Sequence, residues 1–179
     1  MVNMSLLNDN EPRRSAHILY HSIFDIKDEI KSGELSTNLD VVLNNLKLKA
    51  YCVNMDELFP NKAGAREKIS ACLLKEEGVW VIYLNKQQKR EQQRFLIAHE
   101  IGRYILSAGK EVVENIIYFN NDEIHNEEIM ANRFASSLLM PKEKINAVLK
   151  VGLSLEKTAT LFGVSENILI SRLKQLKVI

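Results

Sequence analysis

The chain carries almost no net charge. Lys and Arg total 24 against 23 Asp and Glu, a formal +1, so composition gives no field that would draw it to nucleic acid or to a membrane surface. Cysteine is scarce. Cys52 and Cys72 are the only two, too far apart in sequence for a local metal knuckle. Both fall in strand-like stretches, which reads as buried thiols in a reducing compartment. No apolar run is long enough to span a bilayer, and no charged-then-apolar leader is recognisable. The expected location is the cytoplasm, with no membrane partner. Internal repeats and low-complexity tracts are missing too. What is present, 46% apolar and 26% charged residues over 179 positions, suits one medium globular domain or a core with a small appendage.

Hydrophobic spacing divides the chain into three stretches. In residues 1–34, Pro12 suits a first helical turn, and Ala16, Leu19, Ile23, Ile26 and Ile30 recur at helical spacing until Lys31-Ser32-Gly33 ends the pattern. His17 and His21 lie one turn apart there and read as part of an exposed polar face. Residues 35–150 form the expected core. Ser36-Thr37-Asn38 offers caps for a short helix carrying Leu39, Val42, Leu43 and Leu46. Strand-like runs follow at 48–53, 69–74 and 79–84, the last two joined through Glu76-Glu77-Gly78 as a hairpin. A long helix is predicted over 88–107, polar in its first turns and apolar later, as in a helix that enters a core along its length. Residues 108–122 read as a short strand or irregular cover. A further helix spans 123–139 and stops before Met140-Pro141. Helices are predicted at 142–149, 154–162 and 165–176, the last two within the helical tail of residues 151–179.

One histidine is absent where it matters most. Ala98-His99-Glu100-Ile101-Gly102-Arg103 follows the zinc-hydrolase pattern His-Glu-x-x-His up to its last position. Residues i and i+4 of a helix share a face, so two histidines there reach one tetrahedral ion, and the intervening glutamate takes a proton from the metal-bound water. His99 is the first ligand candidate and Glu100 the general-base candidate. Arg103 stands where the second imidazole belongs. A guanidinium has no lone pair to donate to a metal. Its fixed charge at about 4 Å from a dication costs on the order of 8 kcal/mol at an effective dielectric near 20, before relaxation. It is better suited to pair with Glu100 or with a carboxylate on the next helix.

The string Arg94-Phe95-Leu96-Ile97-Ala98-His99-Glu100-Ile101-Gly102 is followed by Glu128-Ile129-Met130-Ala131-Asn132-Arg133-Phe134-Ala135 and by Leu138-Leu139-Met140-Pro141. Together these resemble the ImmA/IrrE family of metallopeptidases. The resemblance covers roughly residues 35–179 and is firmest over 94–141. It implies a gluzincin-like peptidase domain, often paired with a helix-turn-helix repressor that it cleaves or destabilises, in mobile elements, phages and stress circuits. By position it makes His99 the first zinc ligand, Glu100 the catalytic glutamate and Glu128 the third ligand. The zinc so implied meets an incomplete donor set, because Arg103 replaces the second histidine. His125, three residues before Glu128, would share its face if the helix includes it and could substitute for the missing imidazole. The plainer reading is a solvated or capping residue. Asn132 either orients the site or fixes helix packing. Phe95, Ile101, Phe134, Leu138 and Leu139 read as core, and Tyr104 either packs or reaches the site with its hydroxyl.

The tail resembles a helix-turn-helix, with Gly163 at the turn and Ser165 capping the second helix. That helix carries only Arg172 and Lys174 against Glu166, too thin a charge for reading DNA, so a packing or protein-docking role is preferred. The expected fold is α+β: a small antiparallel sheet on a zincin-like helix pair, with a helical C-terminal tail. Two functions compete. One is a regulatory protein that binds a partner, a helix-turn-helix repressor, through a degenerate and metal-free site that Arg103 blocks. The other is a zinc-dependent endopeptidase that cleaves such a repressor.

Overall fold

In a computed structural model, the description covers residues 35–61, 64–65, 69–107 and 125–179. The helical pattern of 1–34, with His17 and His21, and the predicted strand or cover at 108–122 lie outside the described residues. The architecture is α+β. Seven described helices surround a three-stranded sheet of order β1-β3-β2.

Helix α1 (Leu39–Leu46) starts where Asn38 accepts hydrogen bonds from the backbone N–H groups of Asp40 and Val41, and it buries Leu39, Val42 and Leu43. Strand β1 (Lys49–Val53) follows. A four-residue helix, α2 (Met55–Leu58), which the hydrophobic spacing does not announce, is capped by Asn54. Strands β2 (Ala71–Glu76) and β3 (Val79–Asn85) form the expected hairpin. The register pairs Glu76 with Val79, leaving Glu77 and Gly78 as a two-residue loop, both at positive φ. That is the turn geometry whose twist matches paired strands.

The sheet is antiparallel across β2–β3 but parallel across β1–β3. After β1 the chain passes through α2 to the far edge of the sheet. The hairpin then brings β3 back between the two edges, in the same direction as β1. This edge placement corrects one sequence expectation. Cys72 is buried, but Cys52, on edge strand β1, is exposed. Alternate residues of β2 face two clusters. Ala71 and Leu73 join the main core, whereas Cys72 packs with Met55, Ala65 and Ile69.

Helices α3 (Arg90–Ser107) and α4 (His125–Leu139) form the central pair. As its composition suggests, α3 is exposed at its start and buried from Ala98 to Gly102. Gly102 lets the helices approach. A Cβ there would lie 3.0 Å from Cδ1 and 3.1 Å from Cβ of the buried Phe134. Three polar ties fasten the segment before α1 to this pair. Arg94 Nη2 donates to Ser36 Oγ (2.7 Å) and to the Thr37 carbonyl (2.9 Å), and Thr37 Oγ1 donates to the Leu138 carbonyl (2.8 Å). The buried Lys144, on α5 (Lys142–Val151), donates to the Leu35 carbonyl (3.2 Å).

The tail contains α6 (Leu155–Phe162) and α7 (Glu166–Gln175), capped by Ser154 and Ser165, with Gly163 left-handed at the turn between them. Phe162, Val164, Leu169 and Leu173 enter the main core. Arg172 is buried and its Nε donates to the Met140 carbonyl (3.0 Å). Among the described residues, no helix is long and apolar enough to cross a membrane.

The tight α3–α4 contact yields a stability prediction. Alanine is the better helix former by roughly 1 kcal/mol, but its methyl group must displace Phe134 in a close-packed interior. Gly102→Ala is expected to lower stability by about 1–2 kcal/mol in urea unfolding. Unchanged or increased stability would contradict the close approach.

Candidate functional site

The α3–α4 pair sets two ladders of side chains against each other. Phe95, His99 and Arg103 recur one turn apart on α3, and Glu128, Asn132 and Ser136 on α4. The structure brings His99, Glu100, Arg103 and Glu128 together between them. His99 is buried, with Nδ1 3.0 Å from Asn132 Oδ1 and Nε2 3.1 Å from Glu128 Oε2. Both neighbours are acceptors, so both contacts are satisfied only when the ring carries a proton on each nitrogen. Asn132 therefore orients the imidazole. Arg103 reaches both carboxylates, with Nη1 3.7 Å from Glu100 Oε2 and Nε 3.6 Å from Glu128 Oε1.

Glu100 has no exposure to solvent, and neither of its carboxyl oxygens has a hydrogen-bond partner. Burial pushes its carboxyl from the ordinary 4.5 up to about 7. His99 and Arg103 pull it down, but not enough to offset the desolvation, and Glu128 adds to the rise. Glu128 goes the other way. Burial raises its carboxyl, yet the His99 hydrogen bond and the charges of His99 and Arg103 outweigh that and hold it below the usual range. The two acids of one site are thus driven apart by their surroundings.

The zinc chemistry suggested by the motif can be tested against this donor set. His99 Nε2 and Glu128 Oε2, the atoms that would both have to turn to a metal, face each other. Arg103 stands at the third position as a cation. Cys72 offers no replacement. Burial, reinforced by Glu100 and only partly opposed by Arg103, pushes its thiol up to about 12, so it stays protonated. His125 is the first residue of α4, but its side chain lies outside the described structure. Among the described residues, no three His, Cys, Asp or Glu side chains converge on a common metal position. The described donors do not fit a catalytic zinc, which takes three protein ligands and keeps one position open.

Two roles that the sequence left open are resolved by position. Tyr104 packs edge-on against Trp80, with ring centroids 6.2 Å apart, and Asn132 holds the His99 ring. The residues sequence reasoning missed line the continuation of the groove: Ser136 on α4, and Asn167, Ser171 and Gln175 on α7, beside Phe95. Part of the signal was available, since Ser136 follows Asn132, and Phe95 precedes His99, by one helical turn.

The raised Glu100 carboxyl has a measurable consequence. Because the folded protein holds this proton more tightly than the unfolded chain, the stability it contributes is complete below about pH 4.5 and lost as pH rises to about 7. The size is on the order of 3 kcal/mol. Glu100→Gln keeps the shape and cannot ionise. It is expected to unfold at higher urea concentration than wild type at pH 8 and to differ little near pH 4.5. An equal difference at both pH values would contradict this account.

Comparison with known proteins supplies the lineage. Functionally curated proteins yield no match. A family profile described as the IrrE N-terminal-like domain, Peptidase M78, matches residues 58–174, from the last residue of α2 through nearly all of α7 and across His99, Glu100, Arg103, Glu128 and Asn132. With more than half of its length matched, and with the ordered pair of helix motifs on one groove, the chain belongs to the Peptidase M78 family of IrrE N-terminal-like domains, and its fold carries a metallopeptidase-like domain.

Proposed function

We propose that this chain is a regulatory member of the family that acts by binding a partner protein, a helix-turn-helix repressor, rather than by cutting it. The observation that carries the reading is the position of Arg103, within 4 Å of the carboxylates of both Glu100 and Glu128. An organic cation stands where an inorganic one would be held. The attraction that would favour a dication is already used on a guanidinium that does not leave, and charge repulsion opposes a second cation beside it.

The tail supports binding to protein over binding to DNA. Of the two basic residues on α7, Arg172 is buried against the Met140 carbonyl, and only Lys174 is exposed. A helix that uses its guanidinium to fasten itself to the core has little left for phosphates. The competing reading, a zinc-dependent endopeptidase cleaving a repressor, draws on one observation. The Glu100 carboxyl, held near 7, lies where a general base works at neutral pH.

Metal analysis and one substitution separate the two. Wild-type protein dialysed after exposure to zinc is expected to retain far less than one zinc per chain. Arg103→His restores an imidazole one turn from His99 and is expected to retain about one. In cells holding the repressor, Glu100→Gln is expected to leave the effect on that repressor unchanged. One zinc per wild-type chain, with loss of the effect in Glu100→Gln, would establish the endopeptidase instead.

A further inference from the structure

Beyond the charged cluster, the α3–α4 groove continues into a half-open cleft of about 390 Å³ whose third wall is α7. Its chemistry changes sharply there. Among the described residues, no lining side chain is charged. Phe95 and Ile168 supply apolar surface, and the polar groups are amides and hydroxyls, on Asn132, Ser171 and Gln175 among others. Two of the amides are already oriented. Asn132 Oδ1 faces His99 Nδ1 at 3.0 Å, and Gln175 Oε1 accepts from Arg172 Nη1 at 3.4 Å. With each carbonyl engaged, the Asn132 and Gln175 NH₂ groups, on α4 and α7, are left as donors at the cleft.

We propose that this cleft is a binding site for an uncharged peptide segment, which places one apolar side chain between Phe95 and Ile168 while Asn132 and Gln175 donate to its backbone carbonyls. Peptide backbone is the ligand that presents carbonyl acceptors and N–H donors beside a single apolar group with no net charge. Ser171, exposed on α7, is the adaptable partner for a backbone N–H. A nucleic acid strand fits poorly, because among the described residues no cation lines the cleft to meet its phosphates. The site adjoins the His99 cluster through Asn132, which belongs to both. It does not depend on whether that cluster cuts, and its failure would leave the zinc experiments standing.

The probe is N-acetyl-leucinamide, a neutral compound with two amide groups and one apolar side chain, titrated into ¹⁵N-labelled full-length protein. The side-chain NH₂ resonances of Asn132 and Gln175 are expected to shift saturably, with half-saturation on the order of 1–10 mM for so small a ligand. Charged N-acetyl-aspartate is expected to leave them unmoved. Ser171→Trp, a substitution at an exposed position, fills the cleft and is expected to abolish the shifts in a protein whose remaining spectrum is unchanged. Gln175→Ala is expected to weaken binding several-fold. Absence of saturable shifts in wild type, persistence of the shifts in Ser171→Trp, or a larger response to a single-stranded oligonucleotide than to the amide would each overturn the proposal.

Discussion

Two carboxylates and one guanidinium share a space that excludes most of the water, and that charge balance constrains everything around it. Glu100 lies at the most buried part of α3 and Glu128 on the facing helix, with Arg103 between them. Removing the cation would leave two acids without a counter-charge, a state that buried groups avoid by taking up protons or by rearranging. The site meets this pressure in both ways at once. Arg103 and His99 hold Glu128 ionised, while Glu100, which desolvation dominates, keeps its proton up to near neutrality. The ion-pair distances of 3.6–3.7 Å exceed hydrogen-bond length, so attraction here is Coulombic and gains from the low local dielectric.

That cluster survives only if the two helices stay in register, and several buried donors serve this end. Gly102 brings α3 against Phe134. Arg94 and Thr37 tie the segment before α1 to α3 and to the end of α4, and Lys144 ties it to α5. Arg172 fastens α7 to the carbonyl of Met140, just past α4. Each donates to a backbone carbonyl, and where such a group is buried an unmade bond costs more than a made one contributes. The result is a groove with a charged end and a neutral end, joined at Asn132. Under the binding role proposed above, recognition at the neutral end requires no chemistry at the charged end.

Much of this was legible in the sequence, for identifiable reasons. The caps at Asn38 and Ser165, the Glu77-Gly78 turn and the polar-to-apolar drift of α3 are local signals, and local chemistry fixed them. His99, Glu100 and Arg103 are neighbours on one helix, so their proximity follows from a 3.6-residue repeat. Glu128 and Asn132 came from a second motif, whose pairing with the first no periodicity reveals. What local pattern could not show was arrangement across the chain. The parallel pairing of β1 with β3 depends on where the chain re-enters the sheet, and with it the exposure of Cys52. The third wall of the cleft depends on α7 folding back over the α3–α4 groove. Arg172 looked like a thin positive charge on a reading helix. Its burial is a tertiary fact, and it reverses what that charge is for.

The most direct measurement is anomalous scattering at the zinc edge from crystals grown with zinc in excess. The account predicts continuous guanidinium density for Arg103 between Glu100 and Glu128, with no anomalous peak beside His99. An anomalous peak within coordination distance of both His99 Nε2 and Glu128, with Arg103 swung out of the groove, would contradict it.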